Sequence, residues 1–278
     1  MTHAPAPHEP QRIRAVAIVP ARLGSQRLPR KMLLAETGTP LVVHTVRNLV
    51  GCEALARVVV AVDDRELLDA VQAHGFEATL TSTSHQSGTD RVHEAARGLN
   101  ETFDVVVNVQ GDEPELHTPD LAQLVRAFVD ARVDAATLCG RFADPEEAQH
   151  AHVVKVVRDA HGDALYFSRA AVPHRSIDAT RSYARADAPP WDSIVRRHIG
   201  VYAFRPAALE RFVRAPRGVL ERLENLEQLR WLEAGHKMRV VDAERVPLGI
   251  DTRADYDAFV GRIKLTSPSA TNPGLSAR

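Results

Sequence analysis

The chain holds two cysteines, Cys52 and Cys139, and neither stands in a CxxC pair. A disulfide framework and a structural zinc site are therefore disfavoured, and the usage suits a reducing compartment such as the cytoplasm. An excess of charge is also missing. The 35 Lys plus Arg and 36 Asp plus Glu residues leave a formal net charge of −1, so no broad basic surface awaits nucleic acid. No apolar run is long enough to span a bilayer. Residues 1–11, rich in Pro, Ala and His, lack the apolar stretch of a signal peptide. The 13 histidines are scattered and HExxH is absent, which disfavours zinc hydrolase chemistry. The GxGxxG fingerprint of dinucleotide enzymes, the GxxxxGK[ST] phosphate loop and the GxSxG nucleophile elbow are absent too.

What remains is an ordinary globular composition, 44% apolar and 26% charged over 278 residues. That suits one α/β domain, here residues 13–265, between a disordered leader (1–12) and a disordered tail (266–278). Within the domain, buried-type strands alternate with amphipathic helices. Ala15–Val19, Arg57–Val62, Phe76–Leu80 and Asp104–Val109 read as strands. Residues 39–50, the stretch from Asp63 or Asp64 to His74, and Gly88–Leu99 read as helices. In the first of these, Thr39 can cap, and Val42, Val43, Val46, Leu49 and Val50 share a face. This βαβαβαβ order predicts a mainly parallel sheet flanked by helices. From about residue 153 to 204 the texture changes to antiparallel strands and a polar loop at 173–193. Helices Pro206–Val213, Val219–Ala234 and Arg253–Lys264 and a strand Arg239–Asp242 complete the domain, with Leu220, Leu223, Leu226, Leu229 and Trp231 as core.

In such a sheet, ligands gather beyond the carboxyl ends of the strands. Three loops lie there. The first, ARLGSQRLPRK, holds Arg22, Gly24, Ser25, Arg27, Arg30 and Lys31. It reads either as an anion cradle of arginine forks and exposed backbone N–H groups or as a solvated basic loop. The second, His85 to Arg91, offers Ser87 or Thr89 as a helix cap, with a nucleotide base or ribose contact as the alternative. The third, Gln110-Gly111-Asp112-Glu113-Pro114, ends an apolar strand in carboxylates that suit a divalent cation, or a plain turn. A fourth element, Gly249-Ile250-Asp251-Thr252, offers Asp251 as a further carboxylate or as the cap of the last helix.

Taken together in order, PARLGSQRLPRK, HQSGTDRVHE, NVQGDEP, ALYFSRAAVP, RHIGVYAFR, LERLENLEQLR and GIDTRAD closely resemble the 3-deoxy-manno-octulosonate cytidylyltransferases. The likeness runs from about Ala15 to Lys264. It implies a nucleotide-diphospho-sugar transferase fold and a homodimer whose smaller antiparallel subregion serves dimerisation and sugar binding. It also implies transfer of CMP from CTP to the eight-carbon sugar acid Kdo, for lipopolysaccharide biosynthesis. It gives Arg22, Arg27 and Lys31, beside Ser25, to the triphosphate, with Lys31 the catalytic lysine. Asp112 and Asp251 become the ligands of Mg²⁺. Gln86, Ser87, Gly88 and Thr89 fall to the cytidine pocket. Gln110, Arg169, His198, Tyr202, Glu224, Glu227 and Gln228 fall to the sugar-acid side. A cytidylyltransferase for another acid sugar and a catalytically silent nucleotide-binding protein are the competing readings. The QGDEP, ALYFSR and LEQLR segments favour Kdo, and the full set Lys31, Asp112 and Asp251 favours catalysis.

Overall fold

The computed structural model describes residues 13–25, 27–174 and 195–266. The expected leader, nearly all of the loop at 173–193 and the tail past 266 lie outside them. Strands β1 (Ala15–Ala21), β2 (Leu55–Val62), β3 (Ala78–Leu80) and β4 (Val105–Asn108) form a parallel array ordered β3-β2-β1-β4. Successive side chains of a strand point to opposite faces, so a strand apolar at every position needs cover on both. Ala15, Ala17 and Val19 enter one apolar layer with Val60, Val62 and Val107, while Val16 and Ile18 enter another with Val59, Ala61 and Val106. Helices α1 (Leu41–Val50), α2 (Arg65–Ala73) and α4 (Thr118–Arg126) contribute to the first layer, and α3 (Gly88–Arg97) and α5 (Pro206–Arg214) to the second.

The antiparallel part hangs on β8 (Val195–Phe204). One of its edges pairs with β4, matching Asn108 to Tyr202, and further along with β6 (Lys155–Arg158), which forms a hairpin with β7 (Ala164–Ser168). Its other edge pairs with β5 (Ala135–Gly140), whose parallel neighbour is β9 (Arg239–Asp242). The mainly parallel sheet and the antiparallel region near residues 153–204 both stand as the sequence predicts. Elements α4 and β5 fall in a stretch, residues 115–152, where none was expected. No described helix is long and apolar enough to cross a membrane.

Several local expectations change. β1 runs through Pro20 instead of ending there, because the β4 ladder along that edge stops at Ile18 and demands no further N–H donor. Pro40, not Thr39, precedes α1, and Val50 at its end is exposed. The single helix expected at Val219–Ala234 is two, α6 (Val219–Glu224) and α7 (Leu229–Glu233), parted by Asn225 in the left-handed region at φ 52°. The break takes Leu223 out of register with the core and leaves it exposed. A bidentate pair between Glu221 and Arg230, both bonds 2.7 Å and both residues buried, holds the two pieces together.

The chain order reverses between β1 and β4: β2 and β3 lie on one side of β1, β4 on the other. Loops leaving such a border diverge and open a crevice.

Candidate active site

The loop after β1 is pinned at both ends while its middle faces the crevice. Leu28 is buried against Ile250, Tyr256 and Phe259, the last two on α8 (Arg253–Thr266). Leu23 N–H donates to Asp63 Oδ1 at 3.0 Å, just past β2. Asp63 also receives Arg91 at 3.4 Å, and Arg91 donates to Thr81 Oγ1 at 2.6 Å. Helix α2 takes its cap from the next residue, Asp64, whose carboxylate accepts from Glu66 N–H at 2.7 Å. Arg22 and Arg27 are exposed on the crevice side, with Ser25 between them. Arg30 does not join them: it pairs with Glu66 on α2.

The acidic turn after β4 sits against this loop. A Cβ on Gly111 would stand 3.0 Å from Met32 Sδ and 3.4 Å from Pro20 O, so a larger residue there would have to push the Met32 side chain aside. Thr45 Oγ1 fastens the turn by donating to Gly111 O at 2.8 Å. A third segment closes the site when Ile250 N–H donates to Asp112 O at 3.0 Å. Asp251 does not cap the following helix. Thr252 and Asp255 do so in a capping box, Thr252 N–H to Asp255 Oδ2 at 2.8 Å and Asp255 N–H to Thr252 Oγ1 at 3.2 Å.

These three segments converge on one amine. Lys31, 6% exposed, sets its Nζ 2.5 Å from Asp112 Oδ2, 2.7 Å from Ile250 O and 3.5 Å from Asp251 Oδ1. Arg27 reaches the same Asp251 Oδ1 at 2.9 Å. The two carboxylates read from distant parts of the sequence thus share one cationic partner. Glu113, present in the acidic turn but not singled out from the sequence, lies half-buried beside them with its Oε2 enclosed. Its burial and the neighbouring charges of Asp112 and Asp251 push its pKa up to about 8, and Oε2 has no hydrogen-bond partner. Its signal was an acid following an acid in a strand-ending turn.

The cleft, about 560 Å³, runs from this centre to the start of α3. Gln86, Ser87 and Gly88 line it, and Ser87 caps the helix by accepting from Asp90 N–H at 3.1 Å. Arg91, also missed, lines it as well, and burial lowers its pKa. Thr89 is buried behind this wall, its hydroxyl between Glu227 and Asn108. Gln110 joins the lining, with Asn225 at the far side.

The remaining expected residues form a connected layer behind and beside the cleft. Glu224 accepts from Ser168 Oγ at 2.6 Å and from Arg169 N–H at 2.8 Å. Arg169 donates its guanidinium to the carbonyls of Ala151, Glu224 and Asn225 and so braces the α6–α7 break. Tyr202 donates to Gln228 Oε1 at 3.0 Å, and Gln228 Nε2 is buried without a partner. Glu227 Oε1 is likewise buried without a hydrogen-bond partner, the guanidinium of Arg230 standing 4.0 Å away. His198 packs edge-on against Phe167 and lies 3.0 Å from Thr137 Oγ1; burial pushes its pKa down to about 3, so it is neutral.

The sequence matches the cytidylyltransferase family over residues 16–239. A 3-deoxy-manno-octulosonate cytidylyltransferase of Anaeromyxobacter sp. (strain Fw109-5) is 46% identical over 244 residues, 88% of this chain and 94% of the relative. One from Rhodopseudomonas palustris (strain HaA2) is 41% identical over 250 residues, 88% of this chain and 95% of the relative. Among solved structures, a CMP:2-keto-3-deoxy-manno-octonic acid synthetase complexed with CTP superposes with TM-score 0.81 at 34% identity, covering 91% of this chain and 99% of that one.

Proposed function

The chain belongs to the family of 3-deoxy-manno-octulosonate cytidylyltransferases, and we infer from that membership that it transfers CMP from CTP to the anomeric hydroxyl of Kdo, releasing pyrophosphate and supplying activated Kdo for lipopolysaccharide biosynthesis. The observation that supports this chemistry most directly is the meeting of Lys31, Asp112 and Asp251 on one point beside the arginine loop.

Kdo brings a carboxylate next to its reacting hydroxyl, and CTP brings a polyanion. The hydroxyl oxygen must approach the α-phosphorus in line with the departing pyrophosphate, against charge repulsion. Arg22 and Arg27 present guanidinium forks that suit phosphate oxygens in the exposed middle of the pinned loop. Lys31 adds a charge that burial makes effective and that its carboxylate partners keep aimed at the cleft. Ser87 and Gly88 open the positive end of α3 towards the nucleotide side. Gln110, Arg169, His198, Tyr202, Glu224, Glu227 and Gln228 then shape the sugar-acid side.

Magnesium fits the donor set. Asp112 and Asp251 offer only carboxylate oxygen, the hard donor this ion prefers, and they already gather about a single cation. When bound there, the ion would offset phosphate charge and lower the pKa of the sugar hydroxyl. The same reading carries a homodimer working in the cytoplasm, which light scattering of the purified protein checks as to assembly.

The test is pyrophosphate release from CTP and Mg²⁺ across a panel of sugar acids. Release with Kdo well above that with sialic acid or amino-Kdo is expected. No release with Kdo, or equal rates across the panel, would overturn the proposal.

A further inference from the structure

Four side chains form an unbroken line of hydrogen bonds from the α6–α7 connection, through the first turn of α3, to the end of β4. Thr89 Oγ1 donates to Glu227 Oε2 at 2.9 Å, Asn108 Nδ2 donates to Thr89 Oγ1 at 3.1 Å, and Gln110 Nε2 donates to Asn108 Oδ1 at 3.2 Å. Thr89 is 2% exposed and Asn108 1%, so neither offers a surface of its own to a ligand. Asn108 also breaks the rule of its strand: it takes the face on which Val106 is core.

The line has a direction. Burial raises the pKa of Glu227, but the guanidinium of Arg230, 4.0 Å from Oε1, opposes that, and Oε2, which bears the Thr89 contact, acts as an acceptor. The Thr89 hydroxyl therefore donates its hydrogen bond to Glu227 and accepts from Asn108. Asn108 must turn its amino group to Thr89 and its carbonyl to Gln110. Gln110 in turn faces inward with Nε2. Its Oε1 remains beside Gly88 in the cleft wall, 3.8 Å from where a Cβ on that glycine would stand. Flipping either amide would set like groups face to face in a buried site, which costs a desolvated, unmatched polar group.

We propose that Thr89 and Asn108 are positioning residues that carry the acceptor character of Glu227 through the buried wall and fix Gln110 with its carbonyl oxygen towards the substrate. A carbonyl there accepts a hydrogen bond from a hydroxyl and repels a carboxylate, so it decides which way round the sugar acid lies. This rests on the reading that Gln110 faces the sugar acid.

Thr89→Val keeps the shape and removes the hydroxyl; Thr89→Ser keeps the hydroxyl. In pyrophosphate-release kinetics with the full chain, Thr89→Val raises the KM for Kdo about tenfold and moves the KM for CTP by less than about twofold. Thr89→Ser restores the Kdo value. In a Gln110→Ala background Thr89→Val adds nothing further. Equal rises in both KM values, or effects that multiply with Gln110→Ala, overturn the proposal. Proton exchange of the Gln110 side-chain amide, followed by NMR without ligand, is an independent readout: slow exchange in the wild type supports the relay, and fast exchange overturns it even if Thr89→Val fails to fold. A wild type that exchanges slowly yet releases no pyrophosphate with Kdo overturns the substrate reading while upholding the fixed amide.

Discussion

Lys31 is nearly enclosed, yet its amine answers to two carboxylates and a backbone carbonyl. Lys31→Met therefore leaves Asp112 without its cation beside Asp251 and the half-buried Glu113, with Arg27 still paired to Asp251. We expect a loss of about 2 kcal/mol in chemical denaturation, below the range for fully buried pairs because Asp251 is half exposed. Adding Asp112→Asn to that variant should recover part of the loss, and strict additivity would contradict the shared-cation picture. Asp112→Asn alone should lower kcat by roughly 10²–10³-fold while CTP affinity, measured by titration calorimetry, changes far less. Near-normal turnover at ordinary Mg²⁺ would refute its role. Lys31 and Asp112 were legible because each lies in a short motif that follows the carboxyl end of a strand, whereas Asp251 reads from its residues as a helix cap and became legible only through the family resemblance. Glu113, Arg91, Asp63 and Asn108 were not, since their importance lies in burial and in partners far off in sequence. Asn108 alone left a trace, a polar side chain in an otherwise apolar strand.

Among the elements, α8 shows how a cap can serve chemistry. Thr252 and Asp255 satisfy the helix start, which frees Asp251 to face Lys31 and Arg27. Thr252→Ala should cost about 1 kcal/mol of stability in denaturant titration and raise the Mg²⁺ concentration needed for half-maximal rate. An unchanged Mg²⁺ requirement would separate the cap from the site. The α6–α7 break depends on the Glu221–Arg230 pair, and Arg230→Met should destabilise the fold by about 3 kcal/mol, since both groups are buried. Strands and long helices followed from apolar periodicity. The break did not, because the LERLENLEQLR segment keeps helical spacing straight across it and only the left-handed Asn225, a tertiary feature, interrupts it. Strand β5, short and lacking a β-branched run, gave periodicity nothing to read.

Across the whole molecule, the neutral His198 links stability to acidity. An unfolded histidine takes up a proton near its model value of 6.5, while the folded one resists until about 3. The unfolded chain thus binds more protons within that window, and stability falls as pH falls through it. Melting temperatures of the wild type should drop more between pH 6.5 and 4 than those of His198→Gln, and parallel curves would sink the assignment.

Strand β8 meets β5 along one edge and, on the other, passes from β6 to β4. Fraying it would part the nucleotide half from the hairpin half in a single event. Its central amides should consequently be among the last in the chain to trade hydrogen for deuterium, and the loss of their protection should coincide with global unfolding, not precede it.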